Sequence, residues 1–264
     1  MKFKDNTYSV LRMLRDNFRL FFYILVLRSR SKEVIKSKCH FLIVKEPIYA
    51  KLSMYSISSL LYFNPEFEII IHCDRKCKKA VLWRCRLLLG SRCKIKLVDE
   101  GVTDPMWNKA LLILKLQGTN DVFVDADTRF NGKLPQFTQI TTLVKEFRMD
   151  TRPLWVDVCS ELGVAAEKIE MLNTSLFSWS GHTLALNNEH FEKFYKNFLS
   201  LPWGRISQNY SIQPKTILRL VEQVFLSIEL SKRITFAVKN FDTVADKGLI
   251  ESTYFGASGY RFGR

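Results

Sequence analysis

Apolar residues fall in short runs separated by helical stretches over much of the chain. HFLIV (40–44) is an apolar run of strand length, and Tyr49 to Tyr62 follows with Leu52, Tyr55, Ile57 and Leu60 near one helical face until Pro65 breaks it. FEIIIHCD (67–74) is a second β-rich run. The stretch from Lys76 to Leu89 reads as helix closed by Gly90, and KIKLVD (94–99) as a third strand. Trp107 to Leu116 is helical and stops at Gly118, and DVFVDAD (121–127) is a fourth strand that ends in acid. Further on, Lys215–Leu230 carries an apolar helical stripe. Strands alternating with helices predict an α/β fold, a Rossmann-like and mostly parallel sheet with helices on both faces. In such sheets ligands bind beyond the carboxyl ends of the strands, where Asp74, Asp125 and Asp127 fall.

The amino-terminal segment stands apart. Residues 1–38 hold ten basic and three acidic residues, a net +7 that is half of the chain's +14. Val10, Leu11, Leu14, Phe18, Phe21, Phe22 and Leu25 recur at helical spacing. Two readings follow: a helix packed on the domain formed by residues 39–264, or a basic amphipathic helix lying on an anionic membrane surface. LFFYILVL (20–27) is too short to span a bilayer, which needs about 20 apolar residues. The segment that follows it, SRSKEVIKSK, offers no cleavage site for a secretory signal. The expected location is cytoplasmic, peripheral on the inner face of a membrane if the second reading holds.

Composition is otherwise that of an ordinary globular protein: 264 residues, 47% hydrophobic and 25% charged. The basic excess predicts an anionic partner, and charge alone does not choose among nucleic acid, membrane and phosphorylated substrate. No zinc-finger, RNP or helix-turn-helix pattern is present, so nucleic acid is not expected. The six cysteines form no CxxC pair; Cys77, Cys85 and Cys93 are evenly spaced but lack histidine neighbours at ligand spacing, and they read as reduced thiols.

The sharpest chemical feature is VFVDADTRF (122–130). An apolar strand delivers Asp125 and Asp127, and two carboxylates one pleat apart face one point, where they repel unless a cation lies between them. Hard oxygen ligands suit Mg²⁺ or Mn²⁺. The DxDx[TV] pattern of haloacid-dehalogenase-type phosphatases does not fit, because Arg129 takes the place of the required Thr or Val.

Five segments in order resemble nucleotide-sugar glycosyltransferases of GT-A fold, in particular glycosyltransferase family 8. They are IVKEPIYAKLSMYSISSLLYFNPEFEIIIHCD (43–74), WNKALLILKLQGTNDVFVDADTRFNGKLP (107–135), LNTSLFSW (172–179), VEQVFLSI (221–228) and ESTYFGASGYRFG (251–263). The resemblance implies a metal-dependent enzyme that moves a sugar from a nucleotide-sugar donor, a UDP-sugar by preference, to a glycan or lipid-linked acceptor. It implies that Asp127 and Asp125 hold Mn²⁺ or Mg²⁺, with Asp125 also on the donor ribose. By the same resemblance Tyr49 stacks on the base, Asp74 contacts base or ribose, Lys109 reaches a phosphate or an Asp, and Asn173 holds a sugar. Glu222 and Gln223 would lie near the anomeric carbon, with Asp157 as a second base candidate. Ser175 stands where the family strand usually has Gly, Glu222 replaces its Asp, and Thr253 replaces its closing His. The rival classes are a catalytically inactive scaffold on the same fold and a basic binding protein. Asp74 as a helix cap and Glu222–Gln223 as a surface pair are the structural alternatives.

Overall fold

The computed structural model describes residues 18–27, 37–45, 48–88, 93–98, 104–148, 153–210, 221–233, 237–239 and 250–251. Residues 18–27 form helix α1. It is followed by β1 (Ser37–Ile43), α2 (Ile48–Phe63), β2 (Phe67–Cys73), α3 (Arg75–Leu88), β3 (Cys93–Leu97), α4 (Pro105–Lys115), β4 (Val122–Val124) and β5 (Arg129–Phe130). Then come β6 (Thr141–Arg148), α5 (Pro153–Glu161), β7 (Glu170–Ser178), α6 (Asn188–Leu199), α7 (Trp203–Tyr210), α8 (Val221–Arg233), β8 (Ala237–Lys239) and β9 (Ile250–Glu251). The protein is mixed α/β, as the alternation predicts. Its chain divides into two units, one of Met1–Leu97, Ala126–Leu134 and Leu249–Arg264, the other of Val98–Asp125 and Pro135–Gly248.

In the first unit β2 lies between β1 and β3 and is parallel to both. Parallel strands covered on both faces need apolar residues at consecutive positions. Accordingly Ile69, Ile70 and Ile71 of β2 are all buried, as are Cys39, Phe41 and Ile43 of β1. Helix α2 is buried almost all round, including Ser53, Ser56, Ser58 and Ser59. The hydroxyls of Ser53 and Ser59 donate back to the carbonyls of Ala50 (3.0 Å) and Ser56 (2.9 Å), which satisfies them without a distant partner. Ser59 Oγ also accepts the N–H of Phe130 (3.0 Å), and Asn64 Oδ1 accepts that of Leu134 (2.7 Å). These two bonds tie the stretch after the acidic motif to α2. Strand β5 pairs antiparallel with β9.

Cys77, Val81 and Cys85 form the buried face of α3, and the Cys85 and Cys93 sulfurs lie 3.5 Å apart. Burial pushes the Cys77 thiol up to about 12, with the Asp74 carboxylate adding to the effect, and pushes Cys73 up to about 11. A protonated thiol is neither nucleophile nor metal ligand, so these groups serve as small apolar core residues.

In the second unit β7 runs antiparallel to both β4 and β6, and β6 runs parallel to β8. Helix α8 packs on β7 and α4, while α5 packs on α7. The indole N–H of the fully buried Trp179 donates to the Ile113 carbonyl of α4 (2.7 Å). Gly118 turns the chain out of α4 at φ +74°, and a Cβ there would lie 2.7 Å from Thr183 Oγ1. The predicted stop at this glycine thus has two causes, a left-handed backbone and a close neighbour. Trp107, Phe191, Tyr195 and Phe225 form an aromatic cluster joining α4, α6 and α8, with ring centroids 4.9–5.9 Å apart in the contacting pairs.

Candidate functional site

The site is built on α4. Asp104 caps this helix by accepting the Met106 N–H (2.9 Å), and Pro105 occupies the first turn, where its missing N–H costs nothing. The Tyr195 hydroxyl donates to the other Asp104 oxygen at 2.5 Å. Burial and that carboxylate push Tyr195 up to about 12, so it remains a donor at neutral pH. One turn further on, Lys109 sits among the buried residues Ala110, Leu112, Ile113 and Leu114, and is itself only 6% exposed.

An ammonium in that position needs anions. Lys109 Nζ lies 3.0 Å from Asp125 Oδ1 and 3.1 Å from Oδ2, and 3.0 Å from Glu222 Oε1. It also stands 5.6 Å from the centroid of the Phe123 ring, within cation–π range. Burial by itself would lower the lysine pKa, but the charges of Asp125 and Glu222 and their hydrogen bonds outweigh it and hold Lys109 protonated, well above an ordinary lysine.

Asp125 follows β4 directly. Val124 pairs with Leu176 of β7, and the Asp125 N–H donates to the Ser175 carbonyl at 2.7 Å. The register of β7 against β6 jumps here: Thr142 faces Phe177 while Leu143 faces Asn173. Residues 174–176 are therefore a bulge with respect to β6, and a bulge re-aims the chain next to it. Its Ser175 is fully buried and contributes its main chain to Asp125.

Strand β4 ends at Val124, with Ala126 and Asp127 in a turn. The alternation expected to align Asp125 with Asp127 therefore stops before either residue, because the chain leaves the pleat. Asp127 is half-buried in the segment that Ser59 and Asn64 tie to α2.

Glu222 is fully buried in the first turn of α8, which corrects the surface-pair alternative for this residue; Gln223 beside it is half-buried. Asp157 sits on α5 and accepts a hydrogen bond from the Tyr210 hydroxyl of α7 at 2.7 Å. Tyr49 is half-buried in the first turn of α2. Asn173 lies on β7, and its side chain falls outside the described residues, as does Thr253. His182 Nδ1 contacts the Ser180 carbonyl at 3.1 Å, and His190 bonds to the α6 cap residue Asn187.

Asp74 has the geometry of a helix cap. It accepts the N–H of Cys77 at 2.7 Å and that of Lys45 at 2.6 Å. Lys45 has φ +70°, so the second bond also holds a left-handed non-glycine residue in place. Burial alone would raise the Asp74 pKa, but the two N–H donors outweigh it and lower it. We expect Asp74→Ala to cost about 1 kcal/mol, within the 0.5–2 kcal/mol range for lost caps. Because the folded pKa is lowered, this contribution is present above the unfolded value and fades as pH falls through the folded one. Urea denaturation of both proteins at neutral and acid pH checks it: the gap should narrow in acid.

Carboxylate oxygens suit a hard divalent cation, but Lys109 already contacts both oxygens of Asp125, so ligation by Asp125 would share that carboxylate with the ammonium. Among the described residues no group of three or more His, Cys, Asp or Glu is placed to hold a metal ion. The Lys109–Glu222 pair was not legible in the sequence. Its signal was one charged residue set among apolar neighbours in each helix, Lys109 before Ala110–Leu114 and Glu222 beside Val221, Val224 and Phe225.

No protein-family model and no curated protein sequence matches the chain. Among solved structures it is similar to the galactosyltransferase LgtC in complex with donor and acceptor sugar analogs, at 11% identity over 71% of this chain and 70% of that one, with a TM-score of 0.45. It is similar as well to an active-site mutant of LgtC, at 12% identity over 71% and 70% of the two chains, with a TM-score of 0.42. Likeness at this level, with both scores below 0.5, assigns neither fold nor activity.

Proposed function

We propose that the protein is a GT-A-type glycosyltransferase that moves a sugar from a nucleotide donor, a UDP-sugar by preference, to a glycan or lipid-linked acceptor. One observation carries this reading. The resemblance to family 8 assigns five segments to one enzyme, and two of them, 107–135 and 221–228, supply Lys109 with Asp125 and Glu222, both carboxylates lying within 3.1 Å of the ammonium. A third, 172–179, supplies the Ser175 carbonyl that holds the Asp125 main chain at 2.7 Å. Convergence of residues so distant in sequence supports a common task for those segments.

In this reading the acidic motif Asp125–Ala126–Asp127 holds Mn²⁺ or Mg²⁺, whose chemistry when bound is Lewis-acid compensation of the charge growing on the leaving nucleoside diphosphate. Lys109 contacts both oxygens of Asp125 and fixes its orientation. Glu222 supplies the second negative charge that keeps Lys109 protonated, and so acts through Lys109. Gln223, next to it, offers an amide to the donor sugar or acceptor, and Tyr49 an aromatic face to the base. Asp74, engaged as a helix cap, and Asp157, engaged by Tyr210, are secondary candidates for donor contact and for general base.

The test is a panel of UDP-, GDP- and CMP-sugars with Mn²⁺ or Mg²⁺, read by thermal shift and by donor hydrolysis. The expected result is stabilisation and slow hydrolysis with a UDP-sugar, both lost on chelation and restored by added metal. Absence of any donor response across the panel would reject the proposal.

A further inference from the structure

Apart from Arg19, helix α1 carries only apolar and aromatic side chains, and such a helix needs cover on more than one side. One side is covered within its own unit: the Tyr23 ring lies 4.8 Å from that of Tyr62 and 6.4 Å from that of Phe63, at the end of α2, and Phe22 lies 6.0 Å from Tyr62. The other side faces outward. Phe18 is 73% exposed, Phe21 58%, Phe22 47% and Leu25 48%, and these are the most exposed apolar stripe among the described residues. At about 100° per residue the four side chains fall within about 100° of one another, so they form one continuous face.

We propose that this face seats the protein on an anionic bilayer surface. Three observations select that occupant. The segment that contains α1, residues 1–38, has ten basic and three acidic residues, and anionic headgroups attract such a segment while acyl chains accept aromatic and aliphatic side chains. A second copy of the chain would bring one +7 segment against another, which like charge opposes. The apolar run 20–27 is bounded by Arg19 and Arg28 and falls well short of the roughly 20 residues a span needs, which fits an interfacial position. The proposal is independent of the reaction assigned above and stands or falls without it.

The experiment uses the full chain and vesicles of phosphatidylcholine with or without phosphatidylserine, read by co-sedimentation. The expected result is binding to the anionic vesicles, little to the neutral ones, and weakening at salt high enough to bring the Debye length to about 3 Å. Phe18→Ser combined with Phe21→Ser should lower partitioning about 100-fold, roughly tenfold for each aromatic ring withdrawn from the acyl region. Both rings are exposed, so circular dichroism and the unfolding midpoint should not move. In a second variant, Leu25→Trp, the new indole emission should shift to the blue when anionic vesicles are added. Wild-type protein that ignores anionic vesicles would overturn the proposal, and so would equal binding by the double-serine variant. A wild-type dimer that the double-serine variant converts to monomer would assign the face to a second copy instead.

Discussion

Replacing Lys109 by Met lowers the free energy of unfolding by about 3–5 kcal/mol, the range for removing one partner of a buried ion pair. The loss arises from what stays behind: Glu222 is fully buried and Asp125 partly so, and both contact the same ammonium. The pH dependence identifies the cause. Lys109 has a raised pKa, so its contribution is complete below the unfolded lysine value and is lost only as pH rises through the still higher folded one. Across the neutral and acid range the titration of Lys109 itself therefore adds no pH dependence. In the variant the two carboxylates stay behind without this ammonium, so the deficit should shrink in solutions acid enough to discharge carboxylates. Chemical denaturation of both proteins over a pH series measures this directly. A deficit that stays the same down to strongly acid pH would mean that Lys109 contributes by packing alone.

Under the proposed function, Asp127→Ala slows sugar transfer by about 10²-fold or more, and Asp125→Ala does the same, because the interaction removed strengthens as the nucleoside diphosphate departs. The Asp125 variant also leaves Lys109 with Glu222 alone, so the two differ in stability while agreeing in rate. Glu222→Gln keeps an oxygen acceptor for Lys109 and removes one charge. It should leave donor affinity nearly intact and slow transfer less than either aspartate change. Steady-state rates with donor affinities measured separately distinguish the cases. Near-wild-type turnover by Asp127→Ala would remove that residue from the site. A Glu222→Gln loss as large as that of Asp127→Ala would give Glu222 a direct role at the sugar instead of one through Lys109.

The first unit was readable because its physics is local. Cys39, Phe41 and Ile43, and then Ile69 to Ile71, are the apolar runs that parallel strands demand, and Pro65 separates α2 from β2. The second unit was less so. Strand β6, TTLVKEFR, mixes charge and apolar residues and acquires its meaning only from the neighbours β7 and β8. Helix α6 did carry signals: Asn187 as its cap, and Phe191, Phe194 and Phe198 at helical spacing, which the observed caps and ring contacts use. At the site, the acidic strand end was legible and its internal alignment was not. The rule of alternating faces holds only while the strand lasts, and β4 has three residues. Ser175, noted only as a departure from Gly, acts on Asp125 through its carbonyl, which any residue type supplies.

The buried indole that donates to the Ile113 carbonyl has a consequence for spectroscopy. Of the chain's five tryptophans, Trp107, Trp155, Trp179 and Trp203 all belong to the second unit, and Trp155, Trp179 and Trp203 are buried. Trp83, the one in the first unit, is 62% exposed and already emits from water. Intrinsic fluorescence is thus an optical label for one half of the molecule. A red shift registers solvent reaching the α4–β7 core, whereas melting of the β1–β2–β3 layer is almost dark and has to be followed by circular dichroism.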